Sequence, residues 1–124
     1  MSESIRIAVA SSDGIVVNQH FGRARSFYVY QVTDKKAEFV EKRIGRPFCH
    51  GGEHDDGDLQ DAIDLLSDCK EVYVLEIGAG AEEALKERGL QSVKYRGLVE
   101  KAVLERAENY AGTLAGEDLS WQET

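Results

Sequence analysis

The chain has 124 residues and a formal net charge of −8, with 42% hydrophobic and 31% charged residues. This size and composition indicate one soluble domain with its own hydrophobic core, and no apolar stretch is long enough to span a membrane. An acidic chain is poorly suited to nucleic acid, and the first residues do not resemble a secretory signal, so we expect a cytoplasmic protein.

The first half of the chain is predicted to form a meander of strands. Ile5–Ala10 reads as a short buried strand, followed by a polar turn and a brief extended piece over residues 15–18. The aromatic and β-branched run 27–32 and the alternating run Lys36–Ile44 are predicted to pair as a hairpin. Residues 45–57 show no periodicity and contain a proline and several glycines, so we expect a loop there.

The second half alternates helices and strands. Helices are predicted at residues 58–67, 79–88 and 98–110, and buried strands at 72–77 and 92–95. This order implies parallel pairing of the strands with right-handed crossovers. The whole chain is therefore predicted to be an α/β protein, with helices packed on a mixed sheet of about five strands. We expect the domain to span residues 1–111 and residues 112–124 to form a mobile tail.

Positive charge is concentrated between residues 19 and 50. This segment has seven lysines and arginines against three acidic residues, a net charge of +4, so the remainder of the chain carries −12. The basic residues stand near His20, Cys49 and His50, and this arrangement predicts a local anion-binding site. The alternative is that these charges only solvate the surface.

Candidate metal ligands fall in two predicted loops, His20 in the first and Cys49, His50 and His54 in the second. Thiolate and imidazole groups favour iron–sulfur clusters, zinc or copper over calcium or magnesium. A mononuclear zinc site using Cys49 with His50 or His54 is an alternative, although the spacing is not that of a zinc finger. His20 could also be a turn residue whose ring bonds to the backbone.

A preformed cluster needs only one or two ligands from the protein, because it already satisfies most of its own valences. Iron–sulfur clusters are usually anionic, so the arginines near these loops could stabilise a bound cluster. The candidates are Arg23, Arg25, Arg43 and Arg46.

Other possible sites are weaker. Cys69 lies between a predicted helix and a buried strand, where a free cysteine is typically a small hydrophobe. Gly78-Ala79-Gly80 resembles a phosphate-binding turn but lacks the third glycine, and acidic residues follow it. We find no arrangement typical of a catalytic site and predict that the chain is not an enzyme.

Five stretches of the sequence resemble a known family. Residues 7–14 read IAVASSDG, residues 17–24 read VNQHFGRA, and FYVY follows at residues 27–30. In the second half, DCKEVY at residues 68–73 and IGAGA at residues 77–81 are also similar. Over about residues 5–107 the chain resembles the dinitrogenase iron-molybdenum cofactor biosynthesis family, chiefly its NifX-like members, and also the NafY core and the NifB C-terminal domain.

The resemblance implies a ribonuclease-H-like three-layer α/β sandwich with helices on both faces of the sheet. It also implies binding of the iron-molybdenum cofactor, or of its iron–sulfur precursor (the NifB cofactor), and handover between donor and acceptor proteins of nitrogenase cofactor assembly, without catalysis. A scaffold that binds only these proteins is the remaining alternative. The histidine of the family's His-Phe-Gly motif corresponds to His20. The further candidates are Asn18, Arg23, Arg25 and Arg46 for the cofactor, and Cys49, His50 and His54 as supplementary metal ligands.

Overall fold

The computed structural model describes residues 4–45, 49–50, 53–54 and 56–110, with side chains except at 49–50, 53–54 and 56–58. Arg46 and the predicted tail, residues 112–124, lie outside this part of the chain. The strands are β1 (Ile5–Ala10), β2 (Val16–Val17), β3 (Ser26–Thr33), β4 (Lys36–Ile44), β5 (Cys49–His50), β6 (Glu53–His54), β7 (Glu71–Val74), β8 (Gln91–Lys94) and β9 (Gly97–Leu98). The helices are α1 (Asp56–Leu65), α2 (Ala79–Glu87) and α3 (Val99–Glu108), with a 3-10 turn at Phe21–Arg23.

The main sheet has five strands in the order β4-β3-β1-β7-β8. β3 is antiparallel to both β1 and β4, whereas β1, β7 and β8 run parallel to one another. The central strands β1 and β7 have few polar residues because both of their faces are covered. The predicted α/β fold with a mixed five-stranded sheet is confirmed.

Two hydrophobic cores lie on opposite faces of this sheet. Along β1, Ala8 and Ala10 belong to one core, while Ile7 and Val9 belong to the other, as the two-residue period of a strand requires. Residues of α1 and α2 complete the first core, and residues of α3 complete the second. The sheet is therefore the middle of three layers.

Short elements account for most of the differences from the sequence prediction. The predicted loop at residues 45–57 contains β5 and β6, which pair as a hairpin, and α1 begins at Asp56 instead of residue 58. Gly51-Gly52 stands between these strands, and a Gly-Gly pair is a known signal for a two-residue hairpin loop. Leu98, where the last predicted helix starts, instead forms β9 together with Gly97, and β9 pairs with β2.

β4 is one edge of the sheet, and its pairing with β3 is interrupted once. Val29 is opposite Glu41, but Tyr30 is opposite Phe39, so Val40 falls between two paired positions. This β-bulge bends the edge strand and increases its twist. In the described part of the chain, no helix is long and apolar enough to cross a membrane.

Candidate functional site

The candidate site lies where the parallel strands of the sheet end. His20 forms an isolated parallel bridge with Glu76, just beyond the end of β7. The bridge is held by the Phe21 N–H, which donates to the Glu76 carbonyl at 2.9 Å, and by the Leu75 N–H, which donates to the Gln19 carbonyl at 2.9 Å. Open α/β sheets commonly bind ligands at this carboxyl edge. The bridge also explains why the predicted strand 72–77 ends early, at Val74.

His20 is exposed because its neighbour is anchored in the core. The Phe21 ring is 1% exposed and packs against Phe27, with ring centroids 6.0 Å apart. The His20 carbonyl accepts a hydrogen bond from the Arg23 N–H at 3.0 Å, which closes the 3-10 turn. Among the described residues, the His20 ring itself has no hydrogen-bond partner. The turn therefore presents an imidazole that could bind a metal.

Two arginines follow His20 closely in sequence, Arg23 in the 3-10 turn and Arg25 just before β3. Arg23 and Arg25 are both exposed, and neither side chain has an ion-pair partner among the residues that the structure describes. The backbone of Arg25 is fixed, because its N–H donates to Gln19 Oε1 at 2.9 Å and its carbonyl accepts from the Gly45 N–H at 2.9 Å. The segment between His20 and β3 thus exposes two cationic side chains that are available to an anion.

Arg43, the third arginine considered from sequence, is used within the fold. Its guanidinium donates to both carboxylate oxygens of Asp68, at 2.7 and 2.9 Å, and to the Leu65 carbonyl at 2.8 Å. It also pairs with Glu41 at 2.7 Å. Expecting Arg43 to be available to a bound anion was therefore wrong.

Asn18 stabilises the loop between β1 and β2. Its Nδ2 donates to Ser12 Oγ at 2.9 Å, and its Oδ1 accepts from the Ser12 N–H at 3.0 Å. In the same loop, backbone N–H groups of Ile15 and Val16 donate to Asp13 and hold the pKa of that carboxyl below its ordinary value. Asn18 is thus placed to shape the loop that leads to His20.

The hairpin of β5 and β6, in the predicted loop 45–57, lies close to the predicted loop that contains His20. Cα atoms of β5 lie within 8 Å of Cα atoms in the Phe21–Arg23 turn. Within the hairpin, Cys49 is opposite His54, and His50 is opposite Glu53. The backbone positions of the supplementary candidates therefore lie at the same edge as His20, while their side chains lie outside the described part.

Helix α2 begins at this edge as well. Its first residue follows Gly78, which serves as N-cap without a side-chain hydrogen bond. Among described atoms, none lies within 4 Å of a Cβ built at Gly78 or Gly80. The start of α2 therefore leaves its backbone donors open to solvent, although Glu82 in the first turn disfavours phosphate.

Cys69 is a core residue, as predicted. Its side chain is 4% exposed within the core formed with α1 and α2. Burial raises the pKa of the thiol to about 12, so it stays protonated at neutral pH.

Comparison with known proteins assigns the chain to a family. The family described as dinitrogenase iron-molybdenum cofactor matches residues 3–109, nearly the whole described region. The chain belongs to this family. The family resemblance inferred from the sequence is therefore confirmed.

Relatives in this family differ greatly in length. The chain is 39% identical over 107 residues to the FeMo cofactor biosynthesis protein NifB of Frankia alni, covering 84% of this chain but 21% of that protein. It is 36% identical over 90 residues to Protein NifX of Azotobacter vinelandii, covering 73% of this chain and 56% of that protein. The chain thus spans about a fifth of the NifB relative.

Solved structures share the fold. The crystal structure of PH0822 superimposes with a TM-score of 0.65 at 21% identity, covering 86% of this chain and 92% of that one. The apo form of the orange protein from Desulfovibrio gigas superimposes with a TM-score of 0.58 at 25% identity, covering 94% and 97%. The shared fold therefore extends over nearly all of this chain.

Sequence reasoning missed the residues that position the family histidine. Gln19 uses its carbonyl to hold Leu75 and its side chain to hold Arg25, and Glu76 pairs with His20. The only sequence signal was that Gln19 adjoins His20. The pairing joins residues more than fifty positions apart, so local patterns carried no sign of it.

Proposed function

We propose that this chain is a cytoplasmic carrier of an iron–sulfur-type cluster, the iron-molybdenum cofactor or its precursor, between proteins of nitrogenase cofactor assembly. His20 is the metal ligand, and Arg23 and Arg25 neutralise the negative charge of the cluster. One observation carries the proposal: at the carboxyl edge of the sheet, the segment 20–25 exposes an imidazole and two guanidinium groups that have no ion-pair partner among the described residues.

The side chains of this segment suit a preformed cluster, whose metal ions already have most of their ligands. A neutral imidazole nitrogen can occupy one open coordination position on iron. Because the side chain is exposed, a cluster can reach it without opening the core. Each guanidinium group also offers several N–H donors in a fixed plane, which suits contact with an anion.

The β5–β6 hairpin is proposed to contribute the second ligand. Cys49 is the preferred residue, because its backbone lies near the His20 turn and thiolate is a usual ligand of iron–sulfur clusters. His50 and His54 are the substitutes within the same hairpin. Asn18 and Arg46 are proposed to support the bound cluster from the adjacent loops.

The family and the names of its members support this role. The NifB and NifX relatives are both named for nitrogen fixation, and NifB for biosynthesis of the iron-molybdenum cofactor. Because the chain matches only a fifth of NifB, we propose transfer of a finished cluster and no catalytic step. The mixed sheet, with an antiparallel meander followed by parallel strands, supports the ribonuclease-H-like assignment.

The test is retention of a cluster by purified protein under anaerobic conditions. Protein mixed with isolated precursor cluster is passed through a desalting column, and bound iron, sulfide and the electronic spectrum are measured. We expect about one cluster per chain, and we expect His20→Ala to weaken retention by about tenfold or more. A wild-type protein that acquires no iron, or that binds one zinc ion and excludes the cluster, would contradict the proposal.

The arginines are tested in the same assay with a matched control. Arg23→Gln together with Arg25→Gln should weaken retention and reduce its dependence on salt, because two cationic contacts are lost. Lys70→Gln removes an exposed charge at the start of β7, the opposite edge of the sheet, and should leave retention unchanged. Equal effects from the arginine pair and from Lys70 would remove the arginines from the site.

A further inference from the structure

An exposed apolar surface lies between the β2–β9 pair and helix α3. Its groove has a volume of about 450 Å³ and is lined by Ile15, Tyr30, Leu98, Val103 and Leu104, with Glu100 beside them. Phe39 extends this surface, since its ring is 55% exposed and meets the edge of the Tyr30 ring at 5.6 Å between centroids. Apolar surface of this kind, continuous and rimmed by charge, typically marks an interaction site.

The outer side of α3 continues this surface with a particular charge order. The inner side of the helix is buried through Val99, Ala102, Val103 and Ala107. Lys101, Leu104, Glu105 and Glu108 lie on the outer side, at the three- and four-residue spacing of one helix face, along a second groove of about 290 Å³. In the part of the chain that the structure describes, neither Lys101 nor Glu108 has an ion-pair partner.

We propose that this surface binds a second copy of the chain, through an antiparallel contact between the two α3 helices about a two-fold axis. Lys101 precedes Leu104 by three residues and Glu108 follows it by four. A two-fold rotation near Leu104 reverses that order, so Lys101 meets the partner's Glu108 and the two Leu104 side chains meet each other. The same patch is then used on both copies, as a two-fold interface requires.

Charge complementarity favours a second copy over other occupants. A purely basic segment would face Lys101 with like charge, whereas the reversed helix offers an acid to Lys101 and a lysine to Glu108. The chain's own residues 112–124 have acidic residues as their only charged ones, so they offer no cation to Glu108, whereas a second copy offers Lys101. The groove lined by Ile15, Leu98 and Leu104 supplies the apolar area that the contact buries.

The experiment measures the association of the full chain by sedimentation equilibrium over a range of concentrations. We expect a reversible dimer that Lys101→Glu or Glu108→Lys weakens about tenfold, because each change acts twice across a two-fold interface. The double variant Lys101→Glu with Glu108→Lys should restore the dimer to within about threefold of wild type, since the attraction is re-formed with opposite sign.

A second pair of variants distinguishes association through this surface from nonspecific association through any exposed apolar residue. Leu104→Glu should abolish the dimer, whereas Ile44→Glu, at an even more exposed apolar residue outside both grooves, should leave it intact. Circular dichroism establishes that each variant is folded.

Several results would overturn the proposal. They are a wild-type chain that is monomeric at all concentrations, a dimer unaffected by the α3 variants, or failure of the double charge reversal to restore association. A chain that dimerises only after removal of residues 112–124 would show instead that those residues cover the surface, and would also overturn it.

Discussion

A single carboxylate, that of Asp68, joins three segments of the chain. It accepts hydrogen bonds from Arg43 on β4 and from Arg6 on β1, at 2.7 to 2.9 Å, and it stands between α1 and β7. The Arg43 guanidinium, followed by Arg6, holds the pKa of Asp68 well below its ordinary value of 3.8, despite some burial. The folded chain therefore favours the ionised form.

This pairing predicts part of the acid sensitivity of the fold. Because the pKa of Asp68 is lower in the folded chain, its contribution to stability is present above about pH 5 and is lost as the pH falls toward about 2. The side chain is 42% exposed, so we expect that contribution to be only about 1 kcal/mol. Chemical unfolding of the wild type and of Asp68→Asn, at pH 3 and pH 7, measures it.

The variant should show a smaller loss of stability between pH 7 and pH 3 than the wild type does. Asp64→Asn, which removes a more exposed pair with Arg88, is the control and should cost less at pH 7. An unchanged pH dependence in Asp68→Asn would show that the arginine pairing has no net effect.

The site residues were predictable from sequence only in part. The residue type and the motif singled out His20, and the structure shows its ring exposed at a sheet edge. Sequence could not distinguish Arg43 from Arg23 and Arg25, because the difference depends on Asp68, which is 25 positions from Arg43. Availability of a charged side chain is a property of its neighbours in space.

Among the elements, the β1–β2 loop has the strictest requirement for one residue. Gly14 has a φ of +78°, and a Cβ built there would lie 2.8 Å from the Tyr28 ring. Gly89, which follows α2, has a similar φ of +83°, but among described atoms none lies within 4 Å of its Cβ position. Substitution at Gly89 therefore tests backbone strain alone, whereas substitution at Gly14 tests backbone strain together with a steric clash.

We predict unequal costs for the same substitution at these two glycines. Gly89→Ala should reduce the free energy of unfolding by about 1 kcal/mol, the cost of a positive φ for an alanine. Gly14→Ala should reduce it by about 2 kcal/mol, because the Tyr28 ring must also move. Thermal and urea unfolding of both variants test this. Equal losses would mean that the ring moves at no cost.

Element length determined which parts of the fold the sequence could predict. β4 has the predicted bounds, and α3 was predicted to within two residues at its C-terminal end, because both have long periodic patterns. The pairs β2–β9 and β5–β6 have two residues in each strand, too few for a pattern to show. The pairing of β2 with β9 also joins segments that are far apart in the sequence, and a local pattern cannot predict such a pairing.

Across the whole molecule, the two ends of β7 differ in exposure to solvent. One end leads to the exposed His20 turn, while Glu71 begins the strand in the second core, fully buried against Arg106 of α3. The Arg106 Nε donates to both carboxylate oxygens at 3.0 Å. Burial raises the pKa of Glu71 above its ordinary value, and Arg106 opposes that rise.

We predict that Arg106→Met destabilises the fold by about 3 to 5 kcal/mol at pH 7, because it leaves a buried carboxylate without its cation and with only the Tyr73 hydroxyl, at 3.5 Å, as a donor. A raised pKa means that the fold favours the neutral acid, so the loss should be smaller at pH 5 than at pH 7, because lower pH favours the protonated form, which carries no unpaired charge. Glu71→Leu combined with Arg106→Met should recover most of the stability. Urea unfolding at both pH values measures these differences.

Retention of the cluster should be unchanged in the folded double variant, because the pair lies at the end of β7 opposite His20. A double variant as unstable as the single one would show that the ion pair itself, and not the unpaired charge, accounts for the loss.

The bulge in β4 also bears on how the protein behaves when concentrated. A regular edge strand of nine residues would offer unpaired backbone groups to which strands of other chains could bind, and repeated addition would form fibres. The displaced Val40 breaks the regular spacing of the free backbone groups, and charged side chains on an edge strand disfavour pairing with another strand because they would lose their hydration. The edge strand β4 therefore disfavours the successive addition of further chains, and we expect concentrated solutions of the protein not to form fibres along this edge.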